Sequence, residues 1–81
     1  LAEARVYVSL KKGILDPQGK TILRALHSLG FDEVEDLRIG KYMELKVNGA
    51  DKDELERRIS EMCEKILANP IIEDYRVEVE T

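Results

Sequence analysis

Histidine and cysteine each occur once, as His27 and Cys63, and tryptophan is absent. A lone cysteine excludes an internal disulfide and suits a reducing compartment such as the cytoplasm. One His and one Cys cannot make a standard structural zinc site. No apolar run approaches the roughly 18 residues that suggest a membrane span. The opening segment Leu1-Ala2-Glu3-Ala4-Arg5 lacks the apolar stretch of a signal peptide. The chain begins with Leu rather than Met, so its first residue is not taken as the native start. Basic excess is also missing. The net charge is −4, with acids and bases interspersed, and no basic face or stripe marks a nucleic-acid binder.

What remains is 81 residues of ordinary apolar content and high charge, enough for one domain, 1–81, with a thin core. A chain of this size buries roughly 60–65% of its unfolded surface, and such small domains commonly gain stability by oligomerising. The apolar residues are periodic, which argues against disorder.

Ala4, Val6, Val8 and Leu10 alternate with Arg5, Tyr7 and Ser9, which predicts a half-buried strand over 3–11. Asp16-Pro17 reads as a helix start, with Asp as cap and Pro at the first helical position. Ile22, Leu26 and Leu29 continue at helical spacing to Gly30, where Phe31 can fold back on Leu26 in a Schellman stop, so the helix covers 17–29. Leu37 and Ile39, then Met43, Leu45 and Val47, alternate with polar residues around Gly40-Lys41. This pattern predicts a hairpin of two strands. Asp51 and Glu54 stand at capping-box spacing. Leu55, Ile59, Met62, Cys63, Ile66 and Leu67 then form one apolar stripe, a helix over 52–68 that ends at Asn69-Pro70. Tyr75, Val77 and Val79 mark a last strand. The order is β-α-β-β-α-β, an α+β, ferredoxin-like antiparallel sheet with two helices on one face. Its other face would carry Arg5, Tyr7, Ser9, Arg38, Tyr42, Glu44, Lys46, Arg76, Glu78 and Glu80. A half-wet antiparallel sheet is acceptable, and two such faces can cover each other in a symmetric homo-oligomer, at least a dimer.

Residues that usually carry chemistry have bland explanations here. His27 sits beside Leu26 on a helix with no positioned pocket around it, and a general base needs one. Cys63 lies inside an apolar stripe, where a thiol acts as a small hydrophobe rather than a thiolate. The carboxylates of the second helix alternate with Lys52, Arg57, Arg58 and Lys65, as on a solvated face with i,i+4 pairs. Charges on the last strand read as protection of a sheet edge. Gly13 and Gly19 flank Asp16-Pro17, but no GK[ST] follows, so the phosphate-loop pattern fails. An anion at that helix N-terminus would compete with the Asp16 cap. Tyr7 and Tyr42 sit where an RNA-recognition domain places stacking aromatics on central strands. Glu44 and the acidic charge speak against RNA. No catalytic residue and no metal site are expected.

Three segments resemble the PurS family of phosphoribosylformylglycinamidine synthase subunits. The first is Leu10-Lys11-Lys12-Gly13-Ile14-Leu15-Asp16-Pro17-Gln18-Gly19, running into Ala25-Leu26 and Leu29-Gly30-Phe31. The second is Val34 through Arg38-Ile39-Gly40-Lys41, followed by Glu44-Leu45. The third is Met62-Cys63 with Leu67-Ala68-Asn69-Pro70-Ile71-Ile72-Glu73-Asp74-Tyr75. They cover nearly the whole chain, in order. The resemblance implies a small subunit that joins a glutaminase subunit to a large synthetase subunit. That complex is an ATP-dependent ligase with glutamine as nitrogen donor, making formylglycinamidine ribonucleotide in purine biosynthesis. The small subunit would bridge its partners and support ammonia transfer. It would hold no cofactor, since ATP and magnesium are used by the synthetase. An ACT-like regulatory module, which binds an amino acid near a glycine-containing loop, has the same element order, and fold alone does not separate the two.

Loops on a rigid sheet commonly carry function. Lys11, Gly13, Asp16, Gln18, Gly19, Arg38, Gly40 and Lys41 are therefore the expected partner-binding residues. Lys11, Arg38 and Lys41 have no evident carboxylate neighbours in the sequence. Asp16 and Gly40 also have local structural explanations, as helix cap and hairpin turn.

Overall fold

A computed structural model describes all residues, 1–81. It has an antiparallel sheet of three strands, β1 (Ala2–Leu10), β2 (Gly40–Val47) and β3 (Glu73–Glu80), in the order β2-β1-β3. Helix α1 (Pro17–Ser28) joins β1 to β2. Helix α2 (Lys52–Met62), continued by a π-helical turn (Cys63–Leu67), joins β2 to β3. This is the expected α+β, ferredoxin-like arrangement with one strand fewer.

The alternation in β1 sets both faces of the sheet. Ala2, Ala4, Val6 and Val8 are buried, and the residues opposite them share their face: Val6 meets Met43 on β2 and Val77 on β3. Helix α2 and the π-turn that continues it lie over this inner face and bury Leu55, Ile59 and Cys63. Ile59, Val6 and Cys63 are the largest fully buried side chains, the two aliphatic ones each contributing about 1.5–3 kcal/mol by removal from water. Asp51 caps α2, its carboxylate accepting from the backbone N–H groups of Asp53 (3.1 Å) and Glu54 (3.3 Å).

Three expectations need correction. The first concerns the hairpin. No strand forms at Leu37–Ile39, because its N–H donors go to side chains. The Leu37 N–H donates to Asp36 Oδ1 (2.9 Å) and the Ile39 N–H to Asp16 Oδ2 (3.1 Å). Gly40 is consequently not a hairpin turn. It opens β2 opposite Ser9. With that strand lost, β2 becomes an edge and Tyr42 does not lie on a central strand. The second is Ile66, assigned to the apolar stripe but 80% exposed. In the π-turn the Ala68 N–H reaches back five residues to the Cys63 carbonyl (3.0 Å). The extra residue turns Ile66 outward and leaves Leu67 against the core.

The third is the position of α1. It does not cover the sheet beside α2. Its only buried residue is Gly19, and it packs on no strand as α2 packs on β3. The chain leaves α1 through the expected Schellman stop: the Phe31 N–H donates to the Leu26 carbonyl (2.9 Å) and the Gly30 N–H to that of His27 (3.1 Å). It then returns alongside the helix through residues 29–39, pinned where the His27 ring bonds the Val34 carbonyl (2.7 Å). Helix and return strip form an arm. The molecule measures 48 × 24 × 14 Å, with a radius of gyration of 16.1 Å, against about 12 Å for a compact chain of this length.

Candidate partner-binding site

The arm is fastened to the sheet by a joint built around Asp16. This carboxylate is only 9% exposed. Oδ1 accepts from the Gly19 N–H (3.0 Å), capping α1, and Oδ2 accepts from the Ile39 N–H (3.1 Å), capturing the returning chain. These two backbone hydrogen bonds, Gly19 first, hold the carboxyl below its ordinary pKa of 3.8, with help from Arg38 and Lys20. The Gly19 backbone lies so close that a side chain there would collide with Asp16 Oδ2 and sit 2.8 Å from the Leu37 carbonyl oxygen. A Cβ on Gly40 would strike the Val8 carbonyl oxygen. On the other side of the joint, the Arg38 guanidinium donates to the carbonyls of Leu10 (2.6 Å) and Lys11 (3.0 Å).

The eight residues singled out from the sequence thus cluster around one end of the sheet but divide in two. Asp16, Gly19, Arg38 and Gly40 are occupied with holding strand, helix and return strip together. Lys11, Gln18 and Lys41 offer side chains to the surroundings. Gln18 and Lys41 line an open hollow with Ser9, Leu10, Ile39 and Glu73. Gly13 is exposed in the loop between β1 and α1, with a left-handed φ of 86°. The three basic residues have no local carboxylate partner, but two find distant ones: Lys11 pairs with Asp74 (3.2 Å) and Lys41 stands 4.0 Å from Glu73. Both acids come from β3, more than thirty residues away, so no local reading could find them. Exposed pairs of this kind contribute about 0–1 kcal/mol and leave both lysines open to exchange their partner.

A second polar ensemble occupies the outer face of the sheet. Tyr7 and Tyr42 stand opposite each other across β1 and β2, ring centroids 5.2 Å apart. The Arg76 guanidinium lies 4.2 Å over the Tyr7 ring. The Tyr7 hydroxyl donates to Glu78 (2.8 Å), and Arg5 bonds Glu78 (3.3 Å) and Glu80 (2.6 Å). The Tyr7 and Arg5 bonds hold the Glu78 carboxyl below its usual 4.5. The alternation of β1 and β3 already placed these side chains on one face. Register was needed to see that they satisfy one another.

Neither lone reactive residue acquires a chemical setting. Cys63 is fully buried, and burial, with Glu64 nearby, pushes its thiol up. The His27 ring is engaged by the Val34 carbonyl. No helix is long and apolar enough to cross a membrane.

Known proteins share this architecture from end to end. The family model described as PurS, phosphoribosylformylglycinamidine (FGAM) synthase, matches residues 3–81. The chain is 58% identical over 78 residues to the phosphoribosylformylglycinamidine synthase subunit PurS of Bacillus subtilis, covering 96% of this chain and 92% of that one. It is 42% identical to its counterpart from Methanocaldococcus jannaschii, covering 96% and 94%. The structure of B. subtilis PurS superimposes with a TM-score of 0.89 at 56% identity, over 100% of both chains. A chain in the structure of PurLQS from Thermotoga maritima does so with a TM-score of 0.86 at 30% identity, over 99% of each. With a family model matching residues 3–81 and a relative 58% identical over 96% of its length, the chain belongs to the PurS family.

Proposed function

We propose that this chain is the small, non-catalytic subunit of a phosphoribosylformylglycinamidine synthase. It bridges the glutaminase and the ATP-dependent synthetase subunits and supports ammonia transfer between them in purine biosynthesis. The full-length match to PurS subunits carries this reading, and the chain of the same shape in PurLQS supports it. ATP and magnesium serve the synthetase, and the complex works in the cytoplasm. Lys11, Gln18 and Lys41, with Gly13 in the loop between them, form the partner-facing side of the joint. Asp16, Gly19, Arg38 and Gly40 hold that side in shape. The subunit acts as a homo-oligomer, at least a dimer.

The test is capture. Tagged chain, co-expressed with the synthetase and glutaminase subunits of one organism, retains both on an affinity resin. Lys41→Ala, Lys11→Ala and Gln18→Ala weaken that retention. Retention of neither subunit by the wild-type chain refutes the reading. Calorimetric saturation by a free amino acid would favour the ACT-like alternative.

A further inference from the structure

Several large apolar side chains held in water at one place are informative where a single one is not. Two loops at the joint end of the sheet carry such side chains. In the loop from β1 to α1, Leu15 is 66% exposed. In the loop from the π-turn to β3, Ile71 is 82% exposed, and Ile66 in the turn itself stands out as well. The two loops meet at Lys11. Its N–H donates to the Ile72 carbonyl (2.9 Å), and its carbonyl accepts from the Ile14 N–H (3.1 Å) and the Arg38 guanidinium (3.0 Å). Strand register brings them to one end too, because Leu10 closes β1 opposite Glu73, where β3 begins.

Hydrogen bonds fix both loops. The Asn69 N–H donates to Glu73 Oε1 (2.6 Å), Asn69 Oδ1 accepts from the Ile71 N–H (3.2 Å), and the Asn69 carbonyl accepts from the N–H groups of Ile72 (3.1 Å) and Glu73 (2.7 Å). Leu15 precedes Asp16, whose carboxylate is held at both oxygens. Apolar groups on loops pre-set in this way lose less conformational freedom when they bind.

The charge beside them has one sign. Residues 11–20 carry Lys11, Lys12 and Lys20 and a single acid, Asp16, which the joint buries, in a chain of net charge −4. Lys12 and Lys20 are exposed and form no ion pair. The nearby acids are engaged: Asp74 with Lys11, Glu73 with Lys41, and Asp36 with the Leu37 N–H. Free acids collect at the opposite end, where α2 starts with Asp53 and Glu54 and where Glu3 lies opposite Glu80.

We propose that the joint end docks by placing Leu15, Ile66 and Ile71 in apolar pockets of an acidic surface on one other subunit of the complex, with carboxylates of that surface pairing Lys12 and Lys20. The proposal rests on the subunit reading above and gives the chemistry of the partner. Charge complementarity selects a protein: an apolar centre within a charged rim is how protein contacts are built. Single-stranded nucleic acid is held by stacking aromatics as well as by cations, and neither loop contains an aromatic residue. A second copy offers its free acids only at the far end, a head-to-tail contact that does not close on itself in a dimer.

Tagged chain is titrated with purified synthetase and glutaminase subunits, singly and together, at low and high salt. Leu15→Asp, Ile71→Asp and the double reversal Lys12→Glu/Lys20→Glu each weaken binding of the same subunit by about tenfold or more, and the double reversal also removes most of its salt dependence. Arg58→Glu, on α2 beside the Asn48–Asp51 loop, leaves it unchanged. Circular dichroism checks that each variant is folded, and Leu15→Ser and Ile71→Ser replace any aspartate variant that is not. Loop variants that all bind as the wild type does overturn the proposal and leave the subunit reading standing. A wild-type chain that binds neither subunit refutes that reading too. Unchanged titrations overturn the proposal in two further forms. If the loop variants alter the mass of the chain alone in light scattering, the loops belong to a second copy. If Leu15→Asp abolishes sedimentation with phosphatidylserine vesicles, they belong to a membrane surface.

Discussion

Replacing Gly19 by alanine sets two opposed effects against each other. In an ordinary helix Gly→Ala is stabilising, by up to about 1 kcal/mol. At Gly19 the new methyl would collide with Asp16 Oδ2 and sit 2.8 Å from the Leu37 carbonyl oxygen. The carboxylate can rotate away only by giving up the Gly19 and Ile39 N–H groups it accepts from at 3.0 and 3.1 Å, and the Leu37 backbone has to shift as well. Such overpacking costs about 1–3 kcal/mol, so the clash outweighs the propensity gain. The expected net loss is about 1–2 kcal/mol, a fall of roughly 5–15 °C in the thermal midpoint for a domain of this size. Scanning calorimetry or thermal circular dichroism at fixed protein concentration measures it. Gln18→Ala, one residue earlier on an open surface, is the control and should move the midpoint by no more than about 4 °C. If Gly19→Ala melts at or above the wild-type temperature, the close approach of α1 to Asp16 and the return strip is wrong.

Three further outcomes are expected. Because the folded-state pKa of Asp16 is depressed below 3.8, its carboxylate contributes stability that is present above pH 3.8 and is lost as pH falls through the lower folded value. Asp16→Asn should therefore flatten the acid limb of a midpoint-versus-pH curve below about pH 4, and an unaltered limb would show that the joint is not built on this charge. Cys63, buried and with its thiol pushed up, should resist a thiol reagent in native buffer and react at once in denaturant; rapid native labelling would contradict its packing. Lys41→Ala and Lys11→Ala should each shift stability by no more than about 1 kcal/mol while lowering glutamine-dependent synthesis in a reconstituted complex, an effect absent if those lysines serve only Glu73 and Asp74.

The parts of this fold legible in the sequence are those with local causes. The alternation of β1 and β3, the Asp16-Pro17 start and Gly30 stop of α1, and the Asp51 start of α2 all stand where short-range patterning places them. The failures came where a side chain competed with the backbone ladder. Leu37 and Ile39 alternate as a strand should, but Asp36 and Asp16 take their N–H groups, and nothing in a hydrophobic pattern shows a donor being spent on a residue twenty-three positions away. Ile66 failed for a different reason, since one extra residue in a helical turn re-aims every side chain after it. The candidate site was found as a cluster, Lys11 to Gly19 with Arg38 to Lys41. Its division into joint and open surface required knowing that Arg38 reaches the Leu10 and Lys11 carbonyls. The separation of α1 from the sheet was not legible at all, because an amphipathic stripe says that a helix needs a partner and not which surface supplies it.

The claim that this chain acts by joining two catalytic subunits is tested most directly by supplying the nitrogen in two ways. A reconstituted mixture of synthetase and glutaminase subunits is assayed for formylglycinamidine ribonucleotide, with and without this chain, using either glutamine or ammonium as donor. The account predicts that ammonium-driven synthesis is within a few-fold of equal in both mixtures, whereas glutamine-driven synthesis falls at least tenfold when the chain is omitted. Equal glutamine-driven rates with and without the chain would contradict it.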